Sequence, residues 1–266
     1  KYNFIALYPE SVNFYDGDTL VNTFNDIIRE TTNEEISSIC LSDSERYVYP
    51  KYPNCDRGRC GWAPCADDAN FVKLLIDHFK DNYKIRNVYM IGNSSGGTFV
   101  NSYVCKYPES ITSAISINGM SRLGFGCTPN QPVNFITYAS LNDTSVPPIG
   151  GISADGLFYE TQESLIKTWV DKFECKEKVS KTYKHFETFN ENLFSECLGG
   201  IKIVSILNLD SDHMWPEAGY DKETGLSSYT NYGTCVTDIQ DEFKIPKCYR
   251  TNDRWGSEFI LKKLFE

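Results

Sequence analysis

Short apolar runs recur along the chain at 4–8, 88–91, 114–117, 135–139 and 201–207, several of them bounded by glycine, asparagine or proline. Runs this short and this continuous predict strands buried on both faces, as in the middle of a parallel sheet. Between them the period changes. Over 68–80, Phe71, Leu74, Leu75 and Phe79 fall at helical spacing toward a core, with Lys73, Asp77 and Lys80 turned to water. Helices are likewise expected at 96–106, closed by Tyr107-Pro108, at 161–173 and at 255–265. Strands alternating with helices imply βαβ units, hence an open, mostly parallel sheet with helices on both faces and ligand sites beyond the carboxyl ends of the strands. Two stretches break the pattern: 149–156, which is glycine-rich and suits substrate loops or a small lid, and 40–65, rich in Tyr, Pro, Arg and Cys, which suits a disulfide-tied cover.

A length of 266 residues is within the range of one α/β unit, so a single domain over 1–266 is expected. No apolar run approaches the roughly 20 residues that cross a bilayer, and no membrane span is expected. A net charge of −10 without a Lys/Arg cluster argues against nucleic acid as a partner. The ten cysteines (Cys40, Cys55, Cys60, Cys65, Cys105, Cys127, Cys175, Cys197, Cys235 and Cys248) are even in number and suit disulfides in an oxidising compartment, hence a secreted, extracellular protein. Cys175 with Cys197 and Cys235 with Cys248 would each close a short loop, although spacing leaves the pairing open. Zinc is the competing reading of Cys55, Cys60 and Cys65, but they lack a C-x-x-C pair and a nearby histidine, so no metal is expected. The start at Lys1 shows neither an initiator Met nor a signal-peptide pattern, which suggests processing upstream.

The sharpest chemical signal is Val88-Tyr-Met-Ile-Gly-Asn-Ser94-Ser-Gly-Gly97, an apolar run entering G-x-S-x-G and then a helix. A serine on so sharp a strand-to-helix turn needs neighbours without β-carbons, and its hydroxyl then projects above the sheet edge beside the helix N-terminus. Ser94 is thus the candidate nucleophile, and the backbone N–H of Ser95 the candidate oxyanion donor. A serine hydroxyl needs a base, and a carboxylate to orient that base. Of the three histidines, His78 falls on a helix before the turn and His185 in a Lys/Glu-rich stretch; His213 follows the last strand run in Asp210-Ser-Asp-His-Met-Trp-Pro216. It is the candidate base. Asp143, in the loop after 135–139, is the candidate acid, with Asp155 and Asp171 as rivals. The order Ser, Asp, His is the one this type of fold uses.

At these residues the chain resembles the secreted esterases that include polyhydroxybutyrate depolymerases, feruloyl esterases and acetylxylan esterases, within the α/β-hydrolase superfamily. The likeness runs through Phe4-Ile-Ala-Leu-Tyr-Pro-Glu10, Asp67-Asp68-x-x-Phe71 into Leu75-Ile-Asp-His-Phe79, the Ser94 turn, Asn118-Gly119, Asn142-Asp-Thr-Ser-Val-Pro147 and His213-Met-Trp-Pro216. The resemblance implies an α/β-hydrolase fold, Ser94 as nucleophile, Asp143 as acid, His213 as base and Trp215 beside the substrate. It also marks a departure: in relatives an earlier strand ends in a His-Gly turn that supplies a second oxyanion donor, and this sequence begins too late to include it. A domain lacking its first strand or strands, associated with an upstream segment, is therefore expected.

The expected activity is that of a secreted serine esterase working through a Ser-His-Asp acyl-enzyme on an ester of the feruloyl, acetyl-xylan or polyhydroxyalkanoate type, small or polymeric, with no cofactor. Trp62 and Trp215, with the tyrosines of 47–52, are candidate apolar walls for the substrate. Sequons at Asn93 and Asn142 overlap the site motifs and are expected to be unoccupied. The rival reading is a catalytically impaired hydrolase-fold module in an extracellular assembly. Peptidase or thioesterase chemistry would use the same three residues.

Overall fold

The computed structural model describes residues 4–11, 13–16, 19–26, 66–122, 126–154, 158–184, 187–216, 220–221, 226–227 and 255–265. In chain order, strands β1 (Asn13–Asp16) and β2 (Thr19–Asn22) form a hairpin. Helix α1 (Asp68–Asn82), strand β3 (Tyr89–Asn93), helix α2 (Ser95–Lys106), and strands β4 (Ser113–Ile117) and β5 (Asn134–Ser140) follow. A short ribbon of β6 (Gly151–Ile152) and β7 (Phe158–Tyr159) precedes helix α3 (Gln162–Lys172). Strands β8 (Glu177–Lys184), β9 (Thr188–Ser195) and β10 (Ile203–Asn208) come next, then the pair β11 (Tyr220–Asp221) and β12 (Leu226–Ser227), and helix α4 (Trp255–Phe265). No helix among the described residues is long and apolar enough to cross a membrane.

The main sheet has six strands in the order β3-β4-β5-β10-β9-β8. The first four are parallel, and β9 and β8 extend the sheet antiparallel. Each central strand is apolar on both sides because each side meets helices. On one face Ala114, Phe135, Ala139 and Ile203 pack against Val72 and Ile76 of α1, Phe99, Val100, Tyr103 and Val104 of α2, and Leu165, Ile166 and Trp169 of α3. On the other, Ile115, Ile117, Ile136, Tyr138, Val204 and Ile206 pack against Ile260 and Leu264 of α4. Trp169 stacks on Phe135 at 4.0 Å between ring centroids. Burial of each such large side chain contributes about 1.5–3 kcal/mol. The open, mostly parallel sheet with helices on both faces is the architecture that the alternating pattern implies.

Side-chain caps start two of the helices. Asp67 accepts from the Asn70 amide at 3.2 Å before α1, and Thr161 from the Ser164 amide at 2.9 Å before α3. Disulfides join Cys105 to Cys127 and Cys175 to Cys197, the second a pairing that its short loop suggested. The other six cysteines lie outside the described residues.

Two expectations are corrected, and one element goes unforeseen. Residues 4–8 are not a buried strand: the segment pairs with no strand among the described residues, and Phe4 and Tyr8 are largely exposed. Apolar content alone marks a strand only where a neighbour takes up its amides and carbonyls. Helix α1 buries Ala69, Val72 and Ile76, while Phe71 and Leu74 are exposed. The helix is apolar on two adjoining stripes, and the one with the smaller side chains faces inward. Finally, β8 and β9 carry no continuous apolar run. Strand β8 is exposed along nearly its whole length and bears Lys178, Lys181 and Lys184, which suits a sheet edge that must resist further pairing.

Strand β9 brings one charge into the core. Burial pushes the Glu191 carboxyl up, but hydrogen bonds from Lys263, Lys181 and Tyr183 together outweigh this and hold it below the usual carboxylate range. Lys263 Nζ lies 2.8 Å and Tyr183 Oη 2.9 Å from Oε2, and Lys181 Nζ lies 3.0 Å from Oε1. Because the folded-state value is depressed, this contribution is present above the unfolded value and is lost as pH falls through the folded one. Glu191→Gln should therefore lower stability by about 2 kcal/mol at pH 7, and urea unfolding followed into acid should show that deficit shrinking only once the pH is below the ordinary glutamate range.

Candidate active site

Strand β3 ends at Asn93, and the chain turns through Ser94 with φ 56° and ψ −124° before α2 begins. That backbone is strained for a residue with a β-carbon. It is held from outside: the Ser94 amide donates to the Ile117 carbonyl of β4 at 2.9 Å, and its carbonyl accepts from the Thr98 amide at 3.0 Å. The turn closes because backbone meets backbone. A β-carbon on Gly92 would stand 2.0 Å from the Gly96 carbonyl oxygen, and one on Gly119 would stand 2.4 Å from the Gly97 carbonyl carbon. Ser94 occupies the N-cap position of α2 without using its hydroxyl as a cap.

That hydroxyl goes to His213 instead. Ser94 Oγ lies 2.7 Å from His213 Nε2, and His213 Nδ1 lies 2.7 Å from Asp143 Oδ2. With the Nδ1 proton donated to Asp143, Nε2 is left to accept from the serine. The side chain of Asp143 is fully buried, whereas that of His213 is 25% exposed. The other Asp143 oxygen, Oδ1, accepts from the amides of Ser145 and Val146, both at 2.8 Å, which locks the carboxylate in its loop. The loops of acid and base are also joined directly: Asn142 donates its amide to the Ser211 carbonyl at 3.2 Å, and Leu141 its amide to the Asn208 carbonyl at 2.8 Å.

Asn208 organises the His213 loop from below. Its Oδ1 accepts from the amides of Asp210 at 3.0 Å and Ser211 at 3.2 Å, and its Nδ2 donates to Tyr138 Oη at 2.6 Å and to Glu187 Oε2 at 2.5 Å. Burial holds the Glu187 carboxyl above its ordinary range; the Asn208 bond opposes this, and the nearby Asp210 and Asp212 add to it. Tyr138 is likewise pushed up by burial. Sequence reasoning gave Asn208 no part. Its signal is an asparagine at a strand end followed by Leu-Asp-Ser, a pattern that favours a side-chain turn.

The remaining candidates divide. Ser95 opens α2, whose first amides have no partner within the helix. Thr23 Oγ1 lies 3.4 Å from Ser95 Oγ, on a segment fixed by the Arg122–Asp26 ion pair at 3.0 Å. Trp215 is partly buried and packs against the core on the α4 face of the sheet. His78 is exposed on α1, and Asp171 is exposed on α3 beside Lys167. Trp62, Asp155, His185 and the tyrosines of 47–52 lie outside the described residues.

A family model described as alpha/beta hydrolase fold matches residues 44–142, a stretch that includes α1, the Ser94 turn and β5. The chain has the α/β-hydrolase fold. Among solved structures, one titled "Crystal Structure of a Thermostable Esterase" aligns with 40% of this chain at 18% identity and a TM-score of 0.30. The match spans 26% of that protein, about a quarter of its length. No curated protein is significantly similar to the chain.

The glycines of the turn differ in what they tolerate. A methyl group added to Gly96 would meet no atom within 4 Å, whereas one added to Gly92 would collide with the main chain of Gly96 and Gly97. Gly96→Ala should leave thermal stability unchanged or raise it by up to about 1 kcal/mol. Gly92→Ala should lower it by at least about 3 kcal/mol through overpacking of backbone, measured for both by thermal unfolding.

Proposed function

We propose that the chain is a serine carboxylic-ester hydrolase, and that Ser94, His213 and Asp143 carry the reaction. The observation that carries this reading is the unbroken hydrogen-bonded series from Ser94 Oγ through both ring nitrogens of His213 to a buried carboxylate, with 2.7 Å at each link.

In the proposed mechanism the Ser94 oxygen attacks the ester carbonyl as His213 Nε2 takes its proton. The imidazolium is stabilised and oriented by Asp143, which keeps its charge throughout. The carbonyl oxygen becomes an oxyanion beside the Ser95 amide, aided by the positive end of α2. His213 then gives the proton to the departing alkoxide, which leaves as an alcohol. Water, deprotonated by the same base, attacks the acyl-enzyme; carboxylic acid is released and Ser94 regains its proton.

The resemblance to feruloyl, acetylxylan and polyhydroxybutyrate esterases supports an acyl group of one of those kinds, on a small or polymeric ester. Trp215, two positions beyond the base, is proposed as an apolar wall. The disulfides at Cys105–Cys127 and Cys175–Cys197 support a secreted setting.

A fluorophosphonate probe should label the protein covalently at Ser94, and Ser94→Ala should abolish labelling. Asp143→Asn should slow acylation roughly 10³- to 10⁴-fold by favouring the wrong imidazole tautomer. Absence of labelling in the folded protein would favour the non-catalytic module. A panel of acetyl, feruloyl, hydroxybutyrate and peptide substrates, compared by kcat/KM, should rank an ester first.

A further inference from the structure

Asn118 immediately follows β4 and is 1% exposed. Its backbone is left-handed, with φ 46°. Asparagine tolerates that region better than most residues, but glycine does so at less cost. The side chain is used: Nδ2 donates to the carbonyl oxygen of Met214, the residue after His213, at 2.6 Å. Its Oδ1 is buried with no hydrogen-bond partner among the described residues. An orphaned buried acceptor costs about 1–3 kcal/mol, and a glycine here would avoid both penalties. Against those two penalties stands the single bond to Met214, so the asparagine brings little net stability.

What it brings is connection. The residue before it, Ile117, accepts the Ser94 amide at 2.9 Å, and the Asn118 amide itself donates to the Tyr138 carbonyl of β5 at 2.7 Å. One short stretch at the end of β4 thus holds the serine turn by its main chain and the histidine loop by a side chain. Before His213 the loop is fastened through Asn208 and Asn142; after it, the Asn118 bond ties the main chain to the sheet beside the packing of Trp215. Between those fastenings, residues 212–214 form a tight turn in which the Met214 amide donates to the Asp212 carbonyl at 2.7 Å.

We propose that Asn118 is a positioning residue which sets the distance between His213 and Ser94 by anchoring the Met214 carbonyl. The proposal rests on the Ser94–His213–Asp143 reading of the site. Without the anchor the turn carrying the imidazole loses its main-chain hydrogen bond to the end of β4, and Nε2 leaves the serine hydroxyl for part of the time. A misplacement of this kind costs up to about 100-fold in rate even when no reacting group is removed.

The test compares wild type with Asn118→Gly and Asn118→Asp on a chromogenic acetate ester and on a fluorophosphonate probe, with thermal unfolding measured alongside. Asn118→Gly keeps the left-handed backbone and removes the donor. It should lower kcat and the labelling rate about 10- to 100-fold, with KM little changed and the melting temperature equal or higher. Asn118→Asp keeps the shape but offers Met214 a carboxylate oxygen, and it should be slowed at least as much. A purely structural asparagine would show the reverse: a lower melting temperature and unchanged kcat per folded molecule. Ser94-dependent labelling at the wild-type rate in both variants would overturn the positioning role while leaving the site reading intact. Failure of the wild type to label, or labelling that survives Ser94→Ala, would overturn the site reading and the positioning role with it.

Discussion

The structure depends on the register of four parallel strands. Asn93, Ile117 and Tyr138 stand side by side across β3, β4 and β5, and Asn208 pairs with Ser140 across β10 and β5. Because the strands are parallel and in step, the loops that leave them emerge at one edge of the sheet. Ser94 follows the first, Asn118 the second, Asp143 the third and His213 the fourth. A slip of one residue in any pair would turn its apolar side chains to the wrong face, and would also displace its loop by about 3.3 Å. The helices on both faces make such a slip costly, so the core that stabilises the sheet also sets the geometry of its rim.

At that rim, stability is given up locally. Ser94 and Asn118 hold left-handed backbones, Asn118 Oδ1 has no partner among the described residues, and Glu187 is half-buried near Asp210 and Asp212. By contrast, the edge of the sheet away from the serine turn is well satisfied: Glu191 has two lysines and a tyrosine around its carboxylate. Strain persists where the surroundings over-determine it. Here the surroundings are glycine-to-glycine backbone contacts at Gly92, Gly97 and Gly119, together with main-chain bonds from β4 to the turn.

Much of this was legible because two signals are local. The G-x-S-x-G sequence after an apolar run encodes its own turn, and Asn142-Asp143 and His213 each fall in the short polar stretch after an apolar run, so their position beyond strand ends could be inferred from the linear chain. Asn118 entered only through the Asn118-Gly119 likeness and Asn208 not at all, so neither was legible as a part of the site. Each is a polar residue at the end of a strand, and its value comes from a partner 96 residues away in one case and 70 in the other. The hairpin of β8 and β9 was missed for a similar reason: its polar sequence becomes a strand only because β10 offers an edge to pair with. Residues 4–8 went the other way, apolar in sequence and unpaired in the fold.

By itself the sequence determined the alternation of strand and helix, the sharp turn at Ser94 and the identities of the acid and base candidates, because each rests on side-chain period or on steric demands of neighbours in the chain. Only the tertiary structure decided which stripe of α1 is buried, that the sheet is extended by two antiparallel strands, and that the imidazole of His213 lies between Ser94 and Asp143. Those outcomes depend on which surfaces meet when distant segments pack, and a linear pattern carries no record of the partner.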